Sequence, residues 1–151
     1  TMAPMNAYLT LTGIETLPLR MAQHVKTAQV IAEWLNDHPK VAWVNYAGLP
    51  GNPYKALAER YLPKGAGSVF TFGVTGGFEA GVRAVERCRL LSHLANIGDT
   101  RSLILHPAST THRQLTAEQR IAAGAGDDVL RVSIGLEAAE DIMADLDSAF
   151  G

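Results

Sequence analysis

Apolar positions follow a helical spacing in the first quarter of the chain and shorter, alternating runs afterwards. Behind Pro4, a residue suited to a first helical turn, Met5, Tyr8 and Leu9 begin an apolar stripe. Gly13 and Pro18 interrupt it, which predicts a first helix through about Thr16 and a bend there. Met21, Val25, Ala28, Ala32 and Leu35 then recur at steps of four and three, the spacing of one helix face. They predict a second helix over about 19–37, ended by His38-Pro39. His24 lies beside this stripe and reads as a surface or interface histidine rather than a ligand.

Beyond residue 38 strands and helices alternate. Residues 41–46 read as a strand apolar on both faces, and 48–53 as a loop dense in turn residues. Pro53 opens a short helix with Leu57, Tyr61 and Leu62 as its inner residues. Gly65 and Gly67 stand near Lys64, but at spacings that match no phosphate-binding fingerprint. Phe70, Phe72 and Val74 alternate with Val69, Thr71 and Gly73, predicting a half-buried strand. Gly76-Gly77 turns the chain into a helix with Phe78, Val82, Val85 and Cys88 inward. Residues 90–95 are expected to form a strand. Thr116 caps a helix that Gly124-Ala125-Gly126 ends. A last helix starts near Ala138, with Glu140 and Asp141 in the first turn, where the helix dipole favours acids, and Ile142, Leu146 and Phe150 inward. Short strands separated by loops or helices predict an α+β fold, an α/β sandwich with helices laid on a small sheet.

Composition narrows the function. The 151 residues are 47% hydrophobic and 19% charged, with a formal charge of −2 from 13 basic and 15 acidic side chains. That suits a single globular unit with a real core. No basic stripe suggests nucleic acid as a partner, and no apolar run approaches a bilayer span. The one cysteine, Cys88, forms no internal disulfide and reads as a buried, inert thiol in a reducing cytoplasm.

Candidate chemistry concentrates in residues 94–137. In the strand leading to Glu137, Val132, Ile134 and Leu136 fall on one face and Arg131, Ser133 and Gly135 on the other. One guanidinium beside two small residues leaves room for a ligand. Its planar fork matches a carboxylate through two charge-assisted hydrogen bonds. An arginine on such a face is more often simply solvated. Asn96, close to Gly98, supplies an amide that would converge on the same anion if the two segments meet. Ser102, Ser109 and Thr111 line the intervening loop, chiefly as local hydrogen-bonding residues, with Ser102 and Thr111 as secondary substrate contacts. His106 and His112 lack companions at metal-ligand spacing, so no metal site is expected. Ser109, His112 and Asp99 make a hydrolytic trio only on paper, since no nucleophile elbow is present.

The runs 92–99 (Ser-His-Leu-Ala-Asn-Ile-Gly-Asp), Ser102-Leu103, 106–112 (His-Pro-Ala-Ser-Thr-Thr-His) and 131–137 (Arg-Val-Ser-Ile-Gly-Leu-Glu) resemble the C-terminal domain of the pyridoxal-phosphate-dependent enzymes of Cys/Met metabolism. The likeness spans nearly the whole chain and is strongest to the O-acetylhomoserine sulfhydrylase branch. It implies a mostly antiparallel sheet, a long, broken N-terminal helical segment between domains over residues 1–37 and the C-terminal α/β domain over 38–151. By the same resemblance Arg131 binds the substrate carboxylate, with Asn96 as its polar helper where related lyases carry serine. Further implications are a cytoplasmic, homotetrameric transferase of methionine biosynthesis, in which sulfide replaces the acetate of O-acetyl-L-homoserine. The resemblance also implies pyridoxal phosphate as cofactor, yet Lys26, Lys40, Lys55 and Lys64 all lack the Ser-x-Thr-Lys setting of its Schiff-base lysine. The chain therefore reads as a fragment, inactive alone, whose partner is a large N-terminal cofactor-binding domain. The alternative is a free-standing, non-catalytic module for small carboxylates or for assembly.

Overall fold

A computed structural model describes all of residues 1–151. Helix α1, Pro4–Glu15, opens with proline at its first position. Helix α2, Leu17–Asn36, follows after a break of one residue, with Pro18 in its first turn. Strand β1, Val41–Asn45, and helix α3, Lys55–Tyr61, come next. Then follow β2, Val69–Val74, α4, Gly77–Arg87, and β3, Ser92–His93. Strand β4, Leu103–Leu105, leads into a 3₁₀ turn, Pro107–Ser109. Helix α5, Ala117–Ala122, strand β5, Val129–Ser133, and helix α6, Ala139–Phe150, complete the chain.

The five strands form one sheet in the order β1-β2-β5-β4-β3, in which only the β3–β4 pair is parallel. The α+β class and the mostly antiparallel sheet expected from the sequence are therefore those observed. Alternation puts Phe70, Phe72 and Val74 of β2 on the same side as Leu130 and Val132 of β5. On that side they meet Ala28, Ile31, Ala32 and Leu35 of α2, Ala84 and Val85 of α4, and Ile142 and Leu146 of α6. This three-helix layer on one sheet face is the core. Arg131 lies on the other face, between Thr71 of β2 and Leu105 of β4 in register.

Several expectations give way. His24 is wholly buried, not on the surface, and its Nδ1 donates to the Ile134 carbonyl at 2.6 Å. The strand end has a carbonyl with no ladder partner there, and the α2 histidine supplies the donor. The inner face of α2 is accordingly rotated: His24, Thr27 and Ile31 are buried, while Met21 and Val25 are only half-buried. Leu57, Tyr61 and Leu62 are exposed, because nothing in this chain packs over α3. In α4 the buried positions are Gly81, Ala84 and Val85, with Phe78 set edge-on to the His106 ring. Residues 90–95 contribute only the two-residue β3, since Asp145 takes over the local backbone. Its carboxylate accepts from the N–H groups of Arg89, Leu90 and Leu91 at 2.8–3.2 Å. Strand β1 is an edge with Ala42 and Trp43 exposed, rather than apolar and buried on both faces.

Helix α1 contributes no buried residue, and Met5, Tyr8, Leu9, Leu11 and Ile14 all stand in solvent. No helix is long and apolar enough to cross a membrane.

Candidate functional site

Arg131 sits mid-strand in β5, where antiparallel partners on both sides hold its backbone. Its side chain rises from the face opposite the helices. There Nη2 donates to the main-chain carbonyl of Asn96 at 3.0 Å. The two residues picked out from the sequence therefore do meet, although 35 positions apart. The group that meets the guanidinium is the Asn96 carbonyl, not the side-chain amide that the sequence pointed to. A guanidinium carries five N–H donors in a rigid fork, so one contact leaves an edge free for an anion.

The Asn96 loop is built almost without apolar packing. Residues 94–98 are all exposed, and Gly98 takes a positive φ of 72° that reverses the chain. Asp99 closes the turn: its Oδ1 accepts from the Arg101 N–H at 3.0 Å and from Arg101 Nε at 3.3 Å. Hydrogen bonding from the Arg101 guanidinium holds the Asp99 carboxyl below its ordinary value.

Ser102 is fully buried, and its hydroxyl is engaged on both sides. Oγ donates to Glu137 Oε2 at 2.8 Å and accepts from the Gly135 N–H at 2.8 Å. That engagement makes it a fastening residue and takes it out of reach of a substrate. Thr111 is exposed and shares a 2.8 Å hydrogen bond with His112 Nδ1, so its hydroxyl is engaged locally at the surface.

His106 is buried against Gly81, with Nε2 2.9 Å from the Asp127 carbonyl and Nδ1 2.9 Å from Ser109 Oγ. A carbonyl only accepts, so the proton is on Nε2 and Nδ1 receives the serine hydroxyl. This pairing ties the 107–127 segment to the approach to β5. It also leaves His106 with no free nitrogen for a metal, and uses Ser109 as a support rather than a nucleophile. Helix α5 in that segment begins with the expected cap at Thr116, which together with Gln119 forms a reciprocal capping box.

The chain's lysines do not fit the attachment of a pyridoxal cofactor beside Arg131. Lys40 Nζ donates to the Phe150 carbonyl, and Lys55 Nζ to the Gly48 carbonyl. Lys26 lies exposed on α2, and Lys64 edges an apolar groove formed by Leu17, Met21, Val25 and Leu62, away from β5. What this chain offers is one half-buried guanidinium with a free edge, on a sheet face whose neighbours Leu103, Leu105 and Ser133 are buried.

Comparison with known proteins places that face in context. The family model for Cys/Met metabolism PLP-dependent enzymes matches residues 1–151. O-acetyl-L-homoserine sulfhydrylase 1 of Thermus thermophilus is 48% identical over 98% of this chain and 35% of its own length. O-succinylhomoserine sulfhydrylase of Pseudomonas aeruginosa is 44% identical over 97% of this chain and 36% of its own. Among solved structures, cystathionine gamma synthase from Xanthomonas oryzae pv. oryzae, in complex with aminoacrylate and cysteine, superposes with a TM-score of 0.87. It shares 41% identity over 99% of this chain and 38% of its own. A Campylobacter jejuni protein assigned as an O-acetylhomoserine (thiol)-lyase, solved with N'-pyridoxyl-lysine-5'-monophosphate, gives a TM-score of 0.91. It is 40% identical over 99% of this chain and 36% of its own. The chain thus spans about a third of the length of the relatives it matches. The lysine that carries their cofactor lies outside the matched region.

Proposed function

Because the chain belongs to the Cys/Met metabolism PLP-dependent enzymes, we propose that it is the C-terminal, substrate-carboxylate-binding part of an O-acetylhomoserine sulfhydrylase-like enzyme. The intact protein would convert O-acetyl-L-homoserine and sulfide to homocysteine and acetate. The observation that carries this reading is Arg131: a strand-borne guanidinium, fixed on one edge by the Asn96 carbonyl and free on the other.

Pyridoxal phosphate, when bound by the intact protein, supplies an electron sink for the carbanions of the reaction. The contribution of this chain is binding and orientation. Arg131 grips the α-carboxylate through two parallel N–H donors, which fixes both the position and the rotation of the amino acid. With the acid end held, the Cα–H bond and the ester-bearing side chain point in set directions. Such positioning is worth several kcal/mol of barrier in favourable cases, roughly 7–11 at the extreme. The Asn96 carbonyl keeps the fork from rotating away between turnovers.

On the same reading the partner of this chain is the large cofactor-binding domain, and the complete protein works as a homo-oligomer. The chain alone would be inactive, since the lysine for the cofactor is absent from it.

The test is turnover. Full-length protein loaded with pyridoxal phosphate should release homocysteine and acetate in equal amounts from O-acetyl-L-homoserine and sulfide. The 151-residue chain, treated with the cofactor and desalted, should release neither. A loaded full-length protein that forms no homocysteine overturns the reading.

A further inference from the structure

We propose that Glu137 is the positioning residue of the carboxylate clamp, holding the loop that presents the Asn96 carbonyl to Arg131. The proposal rests on Arg131 as the substrate-carboxylate ligand and adds the element that sets its geometry.

Glu137 lies just past β5 and turns its carboxylate back onto Ser102. Oε1 accepts from the Ser102 N–H and Oε2 from the Ser102 hydroxyl, both at 2.8 Å. The same hydroxyl accepts from the Gly135 N–H at 2.8 Å, and the Leu136 N–H donates to the Thr100 carbonyl at 2.8 Å. Residues 100–102 and 135–137 are thereby laced together at the point where the 94–102 loop enters β4. At Gly135 an added Cβ would come within 2.5 Å of Arg101 C and Ser102 N, so the close backbone approach leaves no space for a side chain.

Beyond the β3–β4 pairing at residues 92–93 and the Asp99–Arg101 turn, the loop has little else to hold it. Residues 94–98 are exposed, so apolar burial does not fix where Asn96 sits. Its front end touches Arg131, and its back end is fastened to Glu137. The two fastenings lie on the same strand and its continuation, six residues apart in sequence, so a shift at the second moves the loop relative to the first. A carboxylate suits the second fastening because both its oxygens face donors. Glutamine would turn an NH₂ group toward one of them, and aspartate is one methylene short.

The experiment uses the full-length, cofactor-loaded enzyme with Glu137→Gln, Arg131→Lys and the double variant. Glu137→Gln, which keeps the shape of the side chain, should raise KM for O-acetyl-L-homoserine by roughly 5- to 20-fold with kcat and KM for sulfide changed less than about twofold. In the Arg131→Lys background the same substitution should add little, because both act through one contact. Glu137→Gln that lowers the thermal midpoint but leaves KM unchanged, or that multiplies the Arg131→Lys effect in full, overturns the positioning role while the carboxylate reading stands. Arg131→Lys with an unchanged KM overturns the carboxylate reading itself, and the proposal with it.

Discussion

Arg131 Nη2 lies 3.0 Å from the carbonyl oxygen of Asn96, a contact that joins the middle of β5 to an exposed loop 35 residues earlier. The acceptor is main chain, so the contact survives any substitution that keeps the loop in place. A guanidinium restrained in this way has lost part of its rotational freedom before a ligand arrives, which lowers the cost of forming the bidentate pair.

The first consequence separates the backbone of Asn96 from its side chain. Asn96→Ala keeps the carbonyl and should raise KM for the amino-acid substrate of the full-length enzyme by no more than about threefold. Steady-state kinetics checks this, and a loss as large as that of Arg131→Lys would return the main role to the amide.

Gly135 provides a test of the packing beneath the site. Its Cβ position is occupied by the Arg101 and Ser102 backbones at 2.5 Å, which a flexible side chain cannot relieve. Gly135→Ala should destabilise the fold by about 1–3 kcal/mol, read as a lowered thermal midpoint. An unchanged midpoint would show that the two segments are not held in contact.

Cys88 should be inert. Burial, joined by the negative charge and hydrogen bonding of Asp145, pushes its thiol up to about 12. A raised acid pKa means that the neutral form favours the fold throughout the range below the free-thiol value, and that this advantage disappears as pH climbs through the raised one. Iodoacetamide at pH 8 should therefore leave the native protein unmodified and alkylate it in denaturant. Cys88 is half-buried rather than fully buried, and rapid native labelling would contradict the shielding of its sulfur.

Asp99 responds in the opposite sense. Its carboxyl is held below the ordinary value by the Arg101 hydrogen bonds, so its contribution is complete above the unfolded carboxylate pKa and is lost as pH falls through the lower folded one. The Asp99 carboxyl carbon, followed by NMR, should titrate below the free-aspartate range and move up into it in Arg101→Ala. A midpoint already within the ordinary range would show that the turn is not closed in solution.

The legibility of the chain follows the physics of each signal. Alternation along β5 revealed which face carries Arg131, because strand side chains reverse at every residue whatever the surroundings. The cap at Thr116 is legible for a similarly local reason, since the N–H that it accepts from lies three residues away, while the reciprocal bond from Gln119 emerges only in the fold. His24 was not, since its burial answers an unpaired carbonyl 110 residues away that no local pattern encodes. Leu57 and Tyr61 mark the complementary limit: an apolar stripe does not show whether anything in the same chain covers it. Asn96 shows a third, because a sequence displays side chains while the atom that meets Arg131 is main chain. Glu137 was visible within a recognisable run, but its task appears only when Ser102 is seen against it.

The central claim, that Arg131 holds the substrate's carboxylate through its fork, is tested most directly by Arg131→Lys in the full-length, cofactor-loaded enzyme. Lysine keeps the charge and loses the parallel donors, so kcat/KM for O-acetyl-L-homoserine should fall by roughly 10- to 100-fold, equivalent to about 1.5–3 kcal/mol. The cofactor's absorbance should stay unchanged. Wild-type kcat/KM in that variant would contradict the account.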